Sequence, residues 1–444
     1  MRAQSLELIR AGQGLQVRFV NHMLCHRPRP YPPLLRTATV LTVVAALHAC
    51  GGDAGPPAGA ATIDTLSNGT VLVANTGTGI WEPETQWTLR ETCRIGGIDA
   101  EGPEQLNEIV GLASDDLGRV YILDRQAQDI RVFTRDGSFV RTIGRSGAGP
   151  GEFQRANGIL FDPRGHLWVV DPGNARYSVF DTAGMLIGTR PRPITSYGYL
   201  SDARFTTTGA LVEHAFRYLG VSADGRPEAV PVFVRMNVDT PLVIDTIDTP
   251  RAGANEFFEV RREENGRLVG MMQMRVPYSP THQTIVDPQG AMWSSRNDEY
   301  RIWKIDFDGD SVRAVQNLAE PIPVTAEERQ QEIDRIREAA GEGARQLDFN
   351  RIPGFKPAFR KVLVDDLGYL WVWREVQSDS AAFDIFDPEG QLLGVLETGN
   401  RIYEYGPIEL RGRMMTAVVR DELDIPSVVC FTIKGRPAAT EARN

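Results

Sequence analysis

The stretch Gly147-Ala148-Gly149-Pro150-Gly151-Glu152-Phe153 is followed by Asn157-Gly158-Ile159, by Asp162-Pro163-Arg164-Gly165-His166-Leu167-Trp168-Val169-Val170-Asp171 and by Tyr177-Ser178-Val179-Phe180-Asp181. It decides the fold because worn copies of it return along the chain. The copies align on a turn glycine, in most cases three residues after an aspartate and just before an apolar strand. Gly118, Gly165, Gly290 and Gly368 fit fully, and Gly209 and Gly412 mark weaker copies. Successive anchors lie 47, 44, 81, 78 and 44 residues apart. These intervals reduce to one unit of about 45 residues with insertions in two of them, a period that suits a four-stranded propeller blade.

Within a unit the order reads strand, Asp-Pro-x-Gly type turn, strand, short loop, strand, second turn, strand. Asp136-Gly137, Ala183-Gly184, Asp308-Gly309 and Glu389-Gly390 mark the second turn, where glycine tolerates positive φ. Alternating short strands at this spacing argue an all-β chain. Six anchors therefore predict a six-bladed β-propeller of four-stranded antiparallel blades, an arrangement that leaves only short protected sheet edges.

These residues resemble the NHL-repeat six-bladed β-propellers. They resemble more closely the bacterial extracytoplasmic six-bladed propeller lipoproteins, through Val324-Thr325-Ala326-Glu327-Glu328-Arg329 and Arg420-Asp421-Glu422-Leu423-Asp424. The resemblance covers roughly residues 67 to 435. It implies a fold and an address but carries over no catalytic residues.

The address is read from the N-terminus. Arg27, Arg29 and Arg36 precede an apolar run from Thr37 to Ala49, too short to span a bilayer and shaped like a secretory core segment. Leu47-His48-Ala49-Cys50 then resembles a lipoprotein cleavage box, which makes Cys50 the lipid attachment site; His48 departs from the small residue usual there, and cleavage as an ordinary signal peptide is the alternative. Met23 is an alternative start to Met1. The expected organisation is leader at 1–50, flexible tether at 51–66, propeller at 67–436 and C-terminal tail at 437–444. The expected product is an extracytoplasmic, membrane-anchored monomer.

The chain carries 48 basic and 58 acidic side chains, a net charge of −10. Without residues 1–50 the balance is 42 to 57. So acidic a domain is a poor nucleic-acid binder, because neutralising phosphates needs a basic face. Membrane contact would come from the lipid on Cys50.

Beyond Cys25 and Cys50, only Cys93 and Cys430 remain. By repeat alignment, Val428–Ile433 is the third strand of the last blade and Trp87–Ile95 occupies a fourth-strand position ahead of the first full repeat. Pairing them would close the ring and set Cys93 near, though not squarely opposite, Cys430. Export to an oxidising compartment makes a disulfide one reading; two buried free thiols are the other.

Propellers present function at the mouth of the central channel, on innermost strands and the loops entering them. The aligned positions gather Asn157, Asp202, His282, Gln283, Arg360, Lys361 and Glu404. The functional reading is a site for a small polar or anionic ligand, with Arg360 and Lys361 as charge partners. The competing reading is a hydrated channel whose polar groups satisfy one another. The alternative function is a divalent-metal hydrolase or lyase of lactonase-like or peptidyl-hydroxyglycine-lyase-like type. Against it, Glu404, Asn157 and Asp202 share the rim with two cations that would oppose a metal ion. His166, His214 and His282, the histidines beyond the leader, fall at different repeat positions. No metal, cofactor or catalytic residue is assigned; no Gly-x-Ser-x-Gly, P-loop or His-Glu-x-x-His motif occurs.

The first insertion carries Met271, Met272 and Met274, read as filling a blade core or, as the alternative, as an adaptable apolar contact surface. The second predicts a helix capped by Thr325 with Glu328 closing a capping box and ended by Gly341. Its thin apolar stripe, Ile333 and Ile336, suits a helix across the rim, as lid, partner surface or passive cover. Tyr121, Trp168, Trp293 and Trp371 recur in equal register, which assigns them to packing between blades rather than to a carbohydrate platform.

Overall fold

The computed structural model describes residues 61–193, 203–221, 227–240, 243–249, 256–264, 267–307, 309–318, 320–376 and 380–437. It also describes Gly59 and two paired three-residue strands near the N-terminus, Leu8–Arg10 and Leu15–Val17. The latter belong to a separate unit, residues 1–54. Cys50 lies outside the described residues.

Six radial sheets make up the main unit. Blade 1 runs from Ile109 to Ile143, blade 2 from Gly158 to Pro191, blade 3 from Arg204 to Asp248, blade 4 from His282 to Asn317 and blade 5 from Phe359 to Glu397. Blade 6 takes Ile408–Arg411, Met414–Arg420 and Pro426–Lys434 from the C-terminus and receives Thr88–Gly96 from the N-terminus as its outer strand. The two ends of the chain thus share one sheet.

All six anchor glycines sit at positive φ in the first turn of their blades, where a side chain would be strained. In the four turns that carry it, the preceding aspartate has a second task that the motif alone did not disclose. In blade 4, Asp287 Oδ1 accepts from the Gln289 and Ala291 amides, while Oδ2 accepts from the Trp293 indole at 3.2 Å. Asp162 with Trp168, and Asp365 with Trp371, repeat the arrangement at 3.1 and 2.9 Å. In blade 1 the Tyr121 hydroxyl donates to Asp115 at 3.0 Å. Each ring is buried between blades, so the repeated aspartate both closes its turn and satisfies the polar tip of the core aromatic.

Cys93 and Cys430 are direct register partners, Cα atoms 5.0 Å apart, and are joined by a disulfide. The sequence count had set them slightly offset. A register shift just beyond Cys430 accounts for the difference, since the pairs on either side of it do not share one count.

The N-terminal segment does more than close the ring. Thr62–Thr65, assigned by composition to the tether, pairs with Val71–Asn75, which adds parallel to the outer strand of blade 4 and makes that sheet six-stranded. Thr62, Ile63 and Thr65 are β-branched and favour the pleat, whereas the Gly/Ala/Pro bias ends at Ala61. The chain then crosses blade 5, where the Ile80 and Trp81 amides donate to Leu393 O. Gly394 lets the Trp81 ring lie flush, since a Cβ there would meet it at 2.4 Å.

The first insertion departs from the expectation and the second meets it. Phe257–Glu264 and Arg267–Arg275 form a two-stranded hairpin of their own, so Met271 and Met272 fill no blade core; both are exposed. Helix α1 (Ala326–Ala340) has the expected capping box and ends at Gly341. Its Ile336 is buried against Phe258 of the hairpin, with Val276 and Ile352 completing a small satellite core. Hairpin and helix, some 60 residues apart in sequence, therefore form one cap, because each has an apolar stripe too narrow to be buried alone.

Candidate functional site at the channel mouth

Blades 4 and 5 place His282, Gln283, Arg360 and Lys361 at the start of their inner strands, and the loop entering blade 6 carries Glu404. These five of the seven sequence candidates line one cavity of about 380 Å³. Asn157 is buried in blade 2, its amide donating to Val170 O, and is not among the lining residues. Asp202 lies outside the described residues.

The lining is held by bonds between blades. Gln283 spans blades 4 and 5, donating from Nε2 to Arg360 O at 2.6 Å and accepting at Oε1 from the Val362 amide at 3.0 Å. Arg360 makes a two-pronged pair with Glu375 at 2.9 and 2.8 Å, which raises the guanidinium pKa further. Lys356 ties Glu375 to Glu328 of the cap helix, 3.9 Å from the first and 2.6 Å from the second. The cap is thus bonded to the rim. His282 Nε2 lies 2.9 Å from Ser294 Oγ, and burial together with nearby Arg296 lowers its pKa, favouring the neutral ring. Lys361 Nζ is 3.5 Å from Glu404 O.

Sequence reasoning missed several lining groups. His214 comes from the second strand of blade 3, Arg275 from the end of the inserted hairpin and Tyr405 from the residue after Glu404. Only Tyr405 had a signal in the repeat alignment, where it occupies the same position as Asp202, Gln283 and Lys361. The cavity therefore holds the cations Arg275, Arg360 and Lys361 against one carboxylate, Glu404, with Thr249, Thr281 and Thr284 adding hydroxyls. Among the described residues no group of three or more His, Cys, Asp or Glu is arranged to hold a metal ion.

The opposite end of the inner strands is different. There Arg204 donates to the Val364 and Asp365 carbonyls. Burial, only partly offset by Arg411 and Arg204 and reinforced by Asp366, pushes the Glu409 carboxyl up to about 7. A carboxyl raised in the folded state stabilises below its unfolded pKa and loses that contribution as pH rises through the folded one. We expect stability to fall by about 2 kcal/mol from this group between pH 5 and 8, and Glu409→Gln to flatten that slope in urea titrations. An unchanged slope in the variant would mean that Glu409 is ionised throughout.

Comparison with known proteins bears on the fold at this point. Residues 105–200 match the family model described as 6-bladed beta-propeller. The chain folds as a six-bladed propeller, and part of it is similar in sequence to NHL-repeat proteins. Over 111 residues it is 32% identical to NHL repeat-containing protein 3 of Mus musculus, a match covering 24% of this chain and 32% of that protein. The chain spans about a third of the length of that curated relative. Among solved structures, an exported protein from Bacteroides fragilis is similar at 12% identity and a TM-score of 0.45, covering 82% of this chain and 99% of the other. Virginiamycin B lyase from Staphylococcus aureus is similar at 12% identity and a TM-score of 0.38, covering 78% and 99%. Likeness at these levels assigns no activity to this propeller.

Proposed function

We propose that this propeller is an extracytoplasmic, lipid-anchored binding module that takes a small polar anion at the mouth of its channel. The observation that carries the reading is that Arg275 and Lys361 line the cavity beside Arg360, whose charge Glu375 already meets, against one lining carboxylate, Glu404, on a domain that is acidic as a whole. A local positive site in a negative field is selective for anions that reach it and make charge-assisted hydrogen bonds. The export and anchor part rests on the leader sequence ending at Cys50.

Calorimetric titration of the full-length protein with succinate and with inorganic phosphate at low salt tests the site. At least one anion is expected to bind, and Lys361→Met to weaken it about tenfold, the worth of one hydrogen bond to a charged group. Absence of binding by both, or indifference to Lys361→Met, would overturn the reading. Mass spectrometry of the purified N-terminal peptide for a diacylglyceryl Cys50 tests the anchor.

A further inference from the structure

Several exposed apolar side chains that the propeller core does not need stand on the same strand faces as lining residues of the cavity. Blade strands in this protein are mostly four to six residues long, but the second strand of blade 3 has eleven, Leu211–Val221. Its period of two puts Phe216 and Tyr218 on the face of His214, with the His214 and Phe216 rings 5.1 Å apart edge to face. Phe216 and Tyr218 are 49% and 60% exposed. On the cap hairpin, Met271 shares the face of Arg275, and Phe257 pairs directly with Arg275; they are 44% and 39% exposed. On the third side, Tyr405 lines the cavity itself and is 78% exposed. Tyr405 in the lining, Phe216 against the lining His214 and Phe257 across from the lining Arg275 thus bring exposed rings from three unrelated elements next to cavity residues, and exposed apolar side chains grouped in this way point to a binding face.

We infer that the ligand is an acidic oligosaccharide of uronate type, its carboxylate in the cavity and its sugar rings against the surrounding aromatics. This rests on the anion-site reading above. Charge complementarity selects the carboxylate, which Arg275 and Lys361 can receive. The Thr249, Thr281 and Thr284 hydroxyls and the Glu404 carboxylate offer partners for several ligand hydroxyls, groups that an acyl chain or plain aromatic acid would leave desolvated. The flat Tyr405 and Phe216 rings match the apolar C–H faces of a pyranose, while Tyr218 offers a ring with a polar tip.

The test is calorimetric titration of the full-length protein with tetragalacturonate, with the uncharged galactose tetramer and with succinate. The acidic tetramer is expected to bind, the neutral one at least tenfold more weakly. Phe216→Ala is expected to weaken the acidic tetramer about fivefold, the worth of one aromatic contact, while leaving succinate unchanged, and Tyr405→Ala to weaken the tetramer at least as much; both side chains are exposed, so neither substitution threatens the fold. If succinate binds in a Lys361-dependent way but tetragalacturonate does not, or binds without regard to Tyr405 and Phe216, the saccharide inference falls and the anion site stands. If neither succinate, phosphate nor tetragalacturonate binds, both fall.

Discussion

Loss of the Cys93–Cys430 bond, by reduction or in the Cys93→Ser/Cys430→Ser double variant, is expected to destabilise the propeller by about 4 kcal/mol. The bond joins residues 337 apart, so without it the unfolded chain regains the freedom of nearly the whole domain. It also holds the one sheet built from both chain ends, where an N-terminal strand pairs with a C-terminal one over eight register positions. A ring opened there exposes two blade edges at once, which adds a route to aggregation. Thermal denaturation with and without reductant checks this. The native protein should drop by several degrees on reduction, and the double variant should match the reduced protein and ignore reductant. Equal melting of oxidised and reduced protein would mean that strand pairing alone closes the ring.

Arg436→Ala is expected to cost about 3–5 kcal/mol, the loss typical of breaking a buried pair from one side. Arg436 is fully buried and reaches Asp365 and Asp366, each at 2.7 Å. Its carbonyl accepts from Arg413 Nε at 2.8 Å. Asp365 is the turn aspartate of blade 5 and also holds the Trp371 indole, so Arg436 ties the segment after the last strand of blade 6 back onto a blade turn. Burial pushes the Asp365 carboxyl up, and Arg436 is the largest influence opposing that. Without Arg436 the acid would titrate higher still, and the deficit should shrink as pH falls and Asp365 takes up a proton. Urea denaturation at pH 5.5 and pH 8 checks the sign. Asp365→Asn combined with Arg436→Met should recover part of the loss, because it removes the stranded charge; a loss under about 1 kcal/mol for Arg436→Ala would mean that solvent reaches the pair.

The sequence carried the blade count, strand order, both sets of turns, the capped helix and the identity of the closing strands. All of these are local or periodic: a turn glycine needs positive φ wherever its blade goes, and a repeated blade must bury the same face each time. Repeat alignment also named five residues that share the cavity, because equal positions in equal blades meet at one axis. What the alignment could not supply came from side-chain identity within the repeat and from segments outside it. His214 stands five residues after its turn glycine, where other blades carry Leu123, Val170, Ser295 and Trp373, so the repeat position alone did not mark it; Arg275 reaches the cavity because an inserted hairpin folds back, and it has no counterpart in other blades. The pairing of that hairpin with α1, the six-stranded blade 4 and the docking of Arg436 on Asp365 are likewise contacts between distant segments. They arise from narrow apolar stripes and single charges seeking cover, and such stripes state a need for a partner without naming it. Periodicity therefore determined the ring, and only tertiary packing decided what stands around its mouth.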